Sequence, residues 1–233
     1  MKVLIYIGIA ILAYLLGSVS NSIIIGKLLF RKDVREQGSG NAGATNVARA
    51  FGLKTGFLVL FLDVAKASAA TLGGYYIILL INSFYPLGGD TELLMQTGKC
   101  VAGCACVLGH CFPVFYGFKG GKAISVGLAA SIAVDWRVGC IALGTFIIVF
   151  ICSKIVSLSS LCGAVALIVA GVLFSVFVAP CVPDIVLSAF VGLVAIIMHR
   201  ENIKRLIHGN ERKTYLFKKN KVDVESETEN GKN

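Results

Sequence analysis

Charge is scarce in this 233-residue chain: 15% of its residues are charged, against 56% hydrophobic, and the mean hydropathy is +0.81. That scarcity excludes an ordinary soluble domain and makes an integral membrane protein the expectation. Paired cysteine spacing is missing too. Eight cysteines (Cys100, Cys104, Cys106, Cys111, Cys140, Cys152, Cys162, Cys181) lie scattered in apolar sequence without a CxxC pair. They give no basis for a metal site and read as small buried hydrophobes. The first apolar segment lacks a small-residue cleavage site before Gly26 and Lys27, so a retained helix is expected instead of a signal peptide. No internal repeat suggests the paired halves that transporters usually show.

What the chain does have is long apolar runs. They predict an all-α polytopic membrane protein with about seven transmembrane helices, near residues 3–25, 56–81, 97–114, 121–134, 138–153, 157–179 and 183–199. The fourth and fifth are short enough to form a re-entrant hairpin, which would leave five full spans. One membrane-embedded domain is expected over 1–221, followed by a disordered polar tail over 222–233. The net charge of +9 is unevenly placed. Basic residues crowd the loop after the first helix and the stretch after His199, which puts the N-terminus outside and the C-terminus in the cytoplasm. Nucleic acid is an unsuitable partner for loops flanked by helices this hydrophobic.

Three polar islands fall on the cytoplasmic face. The first runs from Asp33 to Arg49 and offers glycine amides, hydroxyls and two arginines, a combination suited to phosphate. The second, Gly109 to Lys122, sets Lys119 and Lys122 around Gly120 and Gly121 just before a helix. It reads either as an anion cradle or as a helix-breaking turn with snorkelling lysines. It is not a Walker A loop, because Tyr116 stands where that motif needs glycine and Ala123 follows Lys122. The third, His199 to Glu211, places His199 and Asn202 on one face of a helical continuation, with Arg205 following. Histidine is the natural group for proton transfer near neutral pH. A smaller patch, Ser157, Ser159 and Ser160, begins the sixth helix. Within the second helix Asp63 and Lys66 stand three apart and share a face, as a structural ion pair or as part of a site lining. His110, at a helix end, suits a structural hydrogen bond as well as it suits catalysis.

At these residues the chain resembles the PlsY family, the bacterial membrane acyl-phosphate:glycerol-3-phosphate acyltransferases. The matching positions are Asp33, Arg35, Gly38 to Asn41, Gly43 to Asn46 and Arg49; then Gly109, His110, Phe112, Pro113, Phe115 and Phe118 to Lys122; then His199, Asn202, Ile203, Arg205, Leu206, Gly209 and Glu211. The resemblance implies a seven-helix enzyme with its site at the cytoplasmic surface of the bacterial cell membrane. It would pass a fatty acyl group from acyl-phosphate to the 1-hydroxyl of glycerol 3-phosphate, forming lysophosphatidic acid, the first step of phospholipid synthesis. It would need no cofactor, no metal and no obligatory protein partner. Ser39, His199 and Asn202 are then the expected catalytic residues. Arg49, Gly38, Gly40, Asn41, Thr45, Asn46, Lys119, Gly120, Gly121, Lys122, Ser157 and Arg205 are expected to bind substrate, and Glu211, Asp63 and Lys66 to be structural. Whether Ser39 binds or reacts, and whether His199 is a base or orients substrate, both stay open at this point. Ala123 departs from the glycine that family members often carry there.

Overall fold

The computed structural model describes residues 1–214, so the tail expected beyond residue 221 lies outside the described residues. The apolar runs fold into ten helices: α1 (Lys2–Gly17), α2 (Asn21–Phe30), α3 (Ala44–Phe51), α4 (Leu53–Phe84), α5 (Thr91–Cys111), α6 (Ile124–Val134), α7 (Trp136–Ser153), α8 (Val156–Phe177), α9 (Val182–Met198) and α10 (Arg200–Ile207). No strand occurs among the described residues. Local chemistry sets several starts. Asp90 caps α5 by accepting from the Glu92 and Leu93 amides at 2.9 and 3.3 Å, which begins that helix six residues before the expected 97. Asp135 caps α7 in the same way, accepting from the Arg137 amide at 2.9 Å.

Three differences from the sequence reading stand out. Five helical segments are long and apolar enough to cross a membrane, or six if α9 and the bent α10 count as one span, within the expected range of five full spans to seven helices. The helix that falls short is α6: at 11 residues it covers only about 16 Å of a roughly 30 Å apolar layer. At 18 residues α7 is long enough by itself, so the pair is not a hairpin of two short helices. The first helix is not continuous over 3–25. It breaks at Ser18–Ser20, where a Gly–Ser pair meets a crowded neighbour. The cysteines also divide: Cys100, Cys106 and Cys111 are buried as expected, but Cys140 and Cys152, both on α7, are exposed.

Helix packing relies on small residues, as in lipid, where no hydrophobic effect separates tails from leucines. Gly17 and Gly109 press α1 onto α5 so closely that a methyl at either would overlap the opposing backbone. Gly74 and Gly98 do the same between α4 and α5. The broken first span exposes the carbonyls of Gly17 and Val19 inside the bundle. Lys66 of α4 satisfies them, its Nζ donating at 3.1 and 2.6 Å. The ammonium also pairs with Asp63 at 3.2 Å, and both side chains are buried. Lys66 of this intramembrane pair thus serves the backbone that the break leaves unpaired.

Candidate active site

All three polar islands meet at one end of the bundle. Two side chains hold the first island in shape and tie it to the second. Arg35 forks onto Asp33 (2.8 and 3.1 Å) and reaches across to the Tyr116 carbonyl (2.8 Å), joining the first island to the second. Asn46 is the knot of the first island. Its Oδ1 accepts from the Ser39 amide at 2.9 Å, and its Nδ2 donates to the carbonyls of Val34, Gln37 and Asn41 at 2.9–3.1 Å. Buried at 2% exposure with its Nδ2 hydrogens committed to backbone carbonyls, Asn46 shapes the loop; it lines the cavity but has no N–H left for a phosphate, which corrects its expected binding role.

The islands surround a cavity of about 910 Å³. Its polar end carries Ser39, Arg49, Lys122, Ser157, His199 and Arg205, and its wall also takes in Gly38, Asn41, Thr45, Asn202 and Glu211. First-turn residues of α3 (Thr45), α6 (Ser125) and α8 (Ser157) line it too, so three helix N-termini, each favouring negative charge, border one space. From there it runs on as an apolar limb past Phe57, Leu60, Leu128, Leu143, Phe146 and Leu167. Gly40, Lys119, Gly120 and Gly121 do not reach the wall. Lys119 is exposed, and the two glycines face inward against His110 and Pro113, where a side chain would not fit. They correct the expected anion cradle: of its four members only the neighbouring Lys122 enters the cavity.

Lys122 is held there by Asn202, whose Oδ1 accepts from the ammonium. The other end of that amide donates to Glu211 Oε1 at 2.9 Å, and Arg205 Nε donates to Glu211 Oε2 at 2.7 Å. Asn202, expected to be catalytic, is thus engaged at both ends and holds Lys122. Burial raises the Glu211 carboxyl, but the hydrogen bonds from Asn202 and Arg205 outweigh it and hold the carboxyl below its usual range. Burial pushes the Lys122 ammonium below its ordinary value, with nearby Arg205 adding to the effect.

His199 sits at a 60° bend between α9 and α10, so the third island is a separate short helix and not a straight continuation. The bend leaves His199 in the wall, 4% exposed. Its Nδ1 lies 2.7 Å from the Ala195 carbonyl, which assigns the proton to Nδ1 and leaves the Nε2 lone pair free. Burial lowers its pKa, so the ring is neutral near pH 7. The Ser39 hydroxyl has no basic partner among the described residues, as only its amide is hydrogen-bonded. One contributor escaped the sequence reading. Residues 210–214 fold back across the mouth, with the Thr214 amide on the Lys154 carbonyl (2.8 Å) and Arg49 donating to Thr214 Oγ1 (3.1 Å), and they bring Arg212 to the wall. His110 also borders the cavity.

Comparison with known proteins identifies the chain's relatives. The family model described as glycerol-3-phosphate acyltransferase matches residues 7–209. A glycerol-3-phosphate acyltransferase of Nostoc sp. is 39% identical over 208 residues, spanning 88% of this chain and 90% of that protein. One from Listeria monocytogenes is 36% identical over 205 residues, spanning 88% and 94%. Among solved structures, the glycerol 3-phosphate form of the integral membrane acyltransferase PlsY superposes with a TM-score of 0.72 at 34% identity, covering 90% of this chain and 96% of that one. Its lysophosphatidic acid form gives 0.69 at 33% identity, covering 90% and 95%. The chain belongs to the glycerol-3-phosphate acyltransferase family, as an integral membrane acyltransferase of the PlsY type.

Proposed function

We propose that this acyltransferase takes its acyl group from acyl-phosphate and delivers it to the 1-hydroxyl of glycerol 3-phosphate, releasing inorganic phosphate and lysophosphatidic acid. The observation that carries this reading is the single cavity with two characters, cationic at one end and apolar along the other. Both substrates are phosphates, and each repels the other. A site for the pair needs several cations and amide dipoles in one place, and Arg49, Lys122, Arg205 and Arg212 with three helix N-termini supply them. The apolar limb suits the acyl chain. Acyl-phosphate is a mixed anhydride whose phosphate departs readily, so positioning and charge stabilisation supply most of the rate.

In this scheme the glycerol oxygen attacks the acyl carbonyl, the carbon–oxygen bond to phosphate breaks, and the hydroxyl proton leaves with the phosphate. His199 Nε2 accepts from that hydroxyl and aims it, and Ser39, Ser157 and the cations grip the phosphates. The unpartnered state of Ser39 speaks against an acyl-serine. The basic residues around the mouth favour a cytoplasmic site in the cell membrane, with the N-terminus outside. Purified protein given palmitoyl phosphate and glycerol 3-phosphate should form lysophosphatidic acid and phosphate in equal amounts, and a palmitoyl thioester should not replace the donor. Equal or better turnover with the thioester would overturn the donor assignment.

A further inference from the structure

His110 takes no part in the scheme above, yet it is 6% exposed at the last turn of α5 and borders the cavity. Its ring lies between two groups from different elements. On one side Lys66 Nζ stands 3.4 Å from Nδ1. That ammonium donates to the carbonyls of Gly17 and Val19 and pairs with Asp63, and it has no lone pair of its own. A proton on Nδ1 would face a cation, so the contact assigns the lone pair to Nδ1 and the proton to Nε2. Asp63, which helps fix the ammonium, is itself held by Asn21 Nδ2 at 2.9 Å.

On the other side the ring meets the Gly120–Gly121 turn. A Cβ on Gly121 would overlap the ring at Nε2, and one on Gly120 would overlap the His110 carbonyl oxygen. The same stretch is hydrogen-bonded to the end of α5: Gly121 N–H to the His110 carbonyl at 3.0 Å, and Gly120 N–H to the Cys111 carbonyl at 3.1 Å. The next residue is Lys122, whose ammonium enters the cavity.

We propose that His110, oriented by the buried Asp63–Lys66 pair, is a positioning residue: its ring is the floor on which the Gly120–Gly121 turn rests, and the turn in turn sets where Lys122 presents its charge. The intramembrane ion pair thereby connects the broken first span to the phosphate end of the site. The inference rests on the reading of Lys122 as a phosphate ligand.

A double-mutant cycle tests it. Wild type, His110→Phe, His110→Gln, Lys122→Met and the His110→Phe/Lys122→Met double variant are purified in one detergent. Each is assayed with palmitoyl phosphate over a range of glycerol 3-phosphate, with thermal midpoints and calorimetric binding of glycerol 3-phosphate alongside. His110→Phe should lower kcat/KM for glycerol 3-phosphate by about tenfold or more, because Lys122 is misplaced. His110→Gln, whose carboxamide oxygen offers the Lys66 ammonium an acceptor in place of Nδ1, should recover activity to within about threefold of wild type. The double variant should be within about threefold of Lys122→Met alone, since a residue that acts through Lys122 has nothing left to position. Losses that multiply, or equal loss in the Phe and Gln variants, would overturn the proposal. If His110→Phe does not fold, His110→Gln still decides, since a loss of more than about tenfold at an unchanged midpoint contradicts orientation through the Lys66 contact. Wild-type protein that neither binds nor acylates glycerol 3-phosphate would instead overturn the reading of the cavity, before any variant is compared.

Discussion

Gly120→Ala is the perturbation whose effect the structure specifies most closely. The new methyl would overlap the His110 carbonyl oxygen and lie 2.7 Å from Pro113 Cδ and 2.9 Å from the Cys111 carbonyl oxygen. Two of these three obstacles are backbone and the third is a proline ring, so none can swing aside. The turn must therefore retreat by about 1 Å to restore ordinary contact distances. That retreat stretches the hydrogen bonds from Gly120 to Cys111 (3.1 Å) and from Gly121 to His110 (3.0 Å). At about 0.5–1.5 kcal/mol each, their weakening costs the protein about 1–3 kcal/mol at most. The catalytic cost is larger, because Lys122 follows two residues later, and a displacement of about 1 Å in a positioned group can lower the rate on the order of 100-fold. Phosphate release measured over a range of glycerol 3-phosphate should show kcat/KM down by about that factor, with KM carrying most of it. Gly73→Ala is the control, since a methyl there meets nothing within 4 Å, and it should leave both constants unchanged. A folded Gly120→Ala protein with wild-type KM and kcat would refute the reasoning.

Other outcomes follow from the same geometry. Lys122→Met should lower kcat/KM for glycerol 3-phosphate by about 100-fold or more, because one charge-assisted contact is lost from a partly dehydrated site; steady-state kinetics check it. Glu211→Gln leaves Arg205 without its counter-charge and should lower stability by about 1.5–3 kcal/mol, read from thermal unfolding in detergent. His199 has its pKa lowered chiefly by burial, so between that depressed value and the ordinary 6.5 the unfolded chain binds a proton that the folded one does not. The stability tied to neutral His199 is therefore complete above about pH 6.5 and fades as pH falls toward the folded value; His199→Gln should flatten that part of the pH profile. Intact-protein mass spectrometry of protein denatured during turnover should show no acyl adduct on Ser39, and Ser39→Ala should retain measurable kcat.

The polar islands were legible because their composition is improbable between apolar helices. The helix positions were legible to within a few residues for the same reason. What the sequence could not convey depended on partners distant in the chain. The break at Ser18–Ser20 is stabilised by Lys66 on α4, and no local pattern announces that partnership. Asn46 looked like a ligand for phosphate because asparagine suits either task; only the surrounding carbonyls of Val34, Gln37 and Asn41 show that it ties the loop. Gly120 and Gly121 pointed to the right segment with the wrong role, since close packing and anion binding both call for glycine. Ala123 adopts a left-handed φ of +66°, a backbone conformation that favours the glycine often found there in the family.

The claim at the centre of the account is that one cavity holds glycerol 3-phosphate with its phosphate at the cationic end and its 1-hydroxyl toward the apolar limb. A structure of this protein with glycerol 3-phosphate bound tests that most directly. The account predicts phosphate oxygens about 2.7–3.2 Å from Lys122 Nζ and Ser157 Oγ, with the hydroxyl facing His199 Nε2. Glycerol 3-phosphate bound outside this cavity, or with its phosphate directed into the apolar limb, would contradict it.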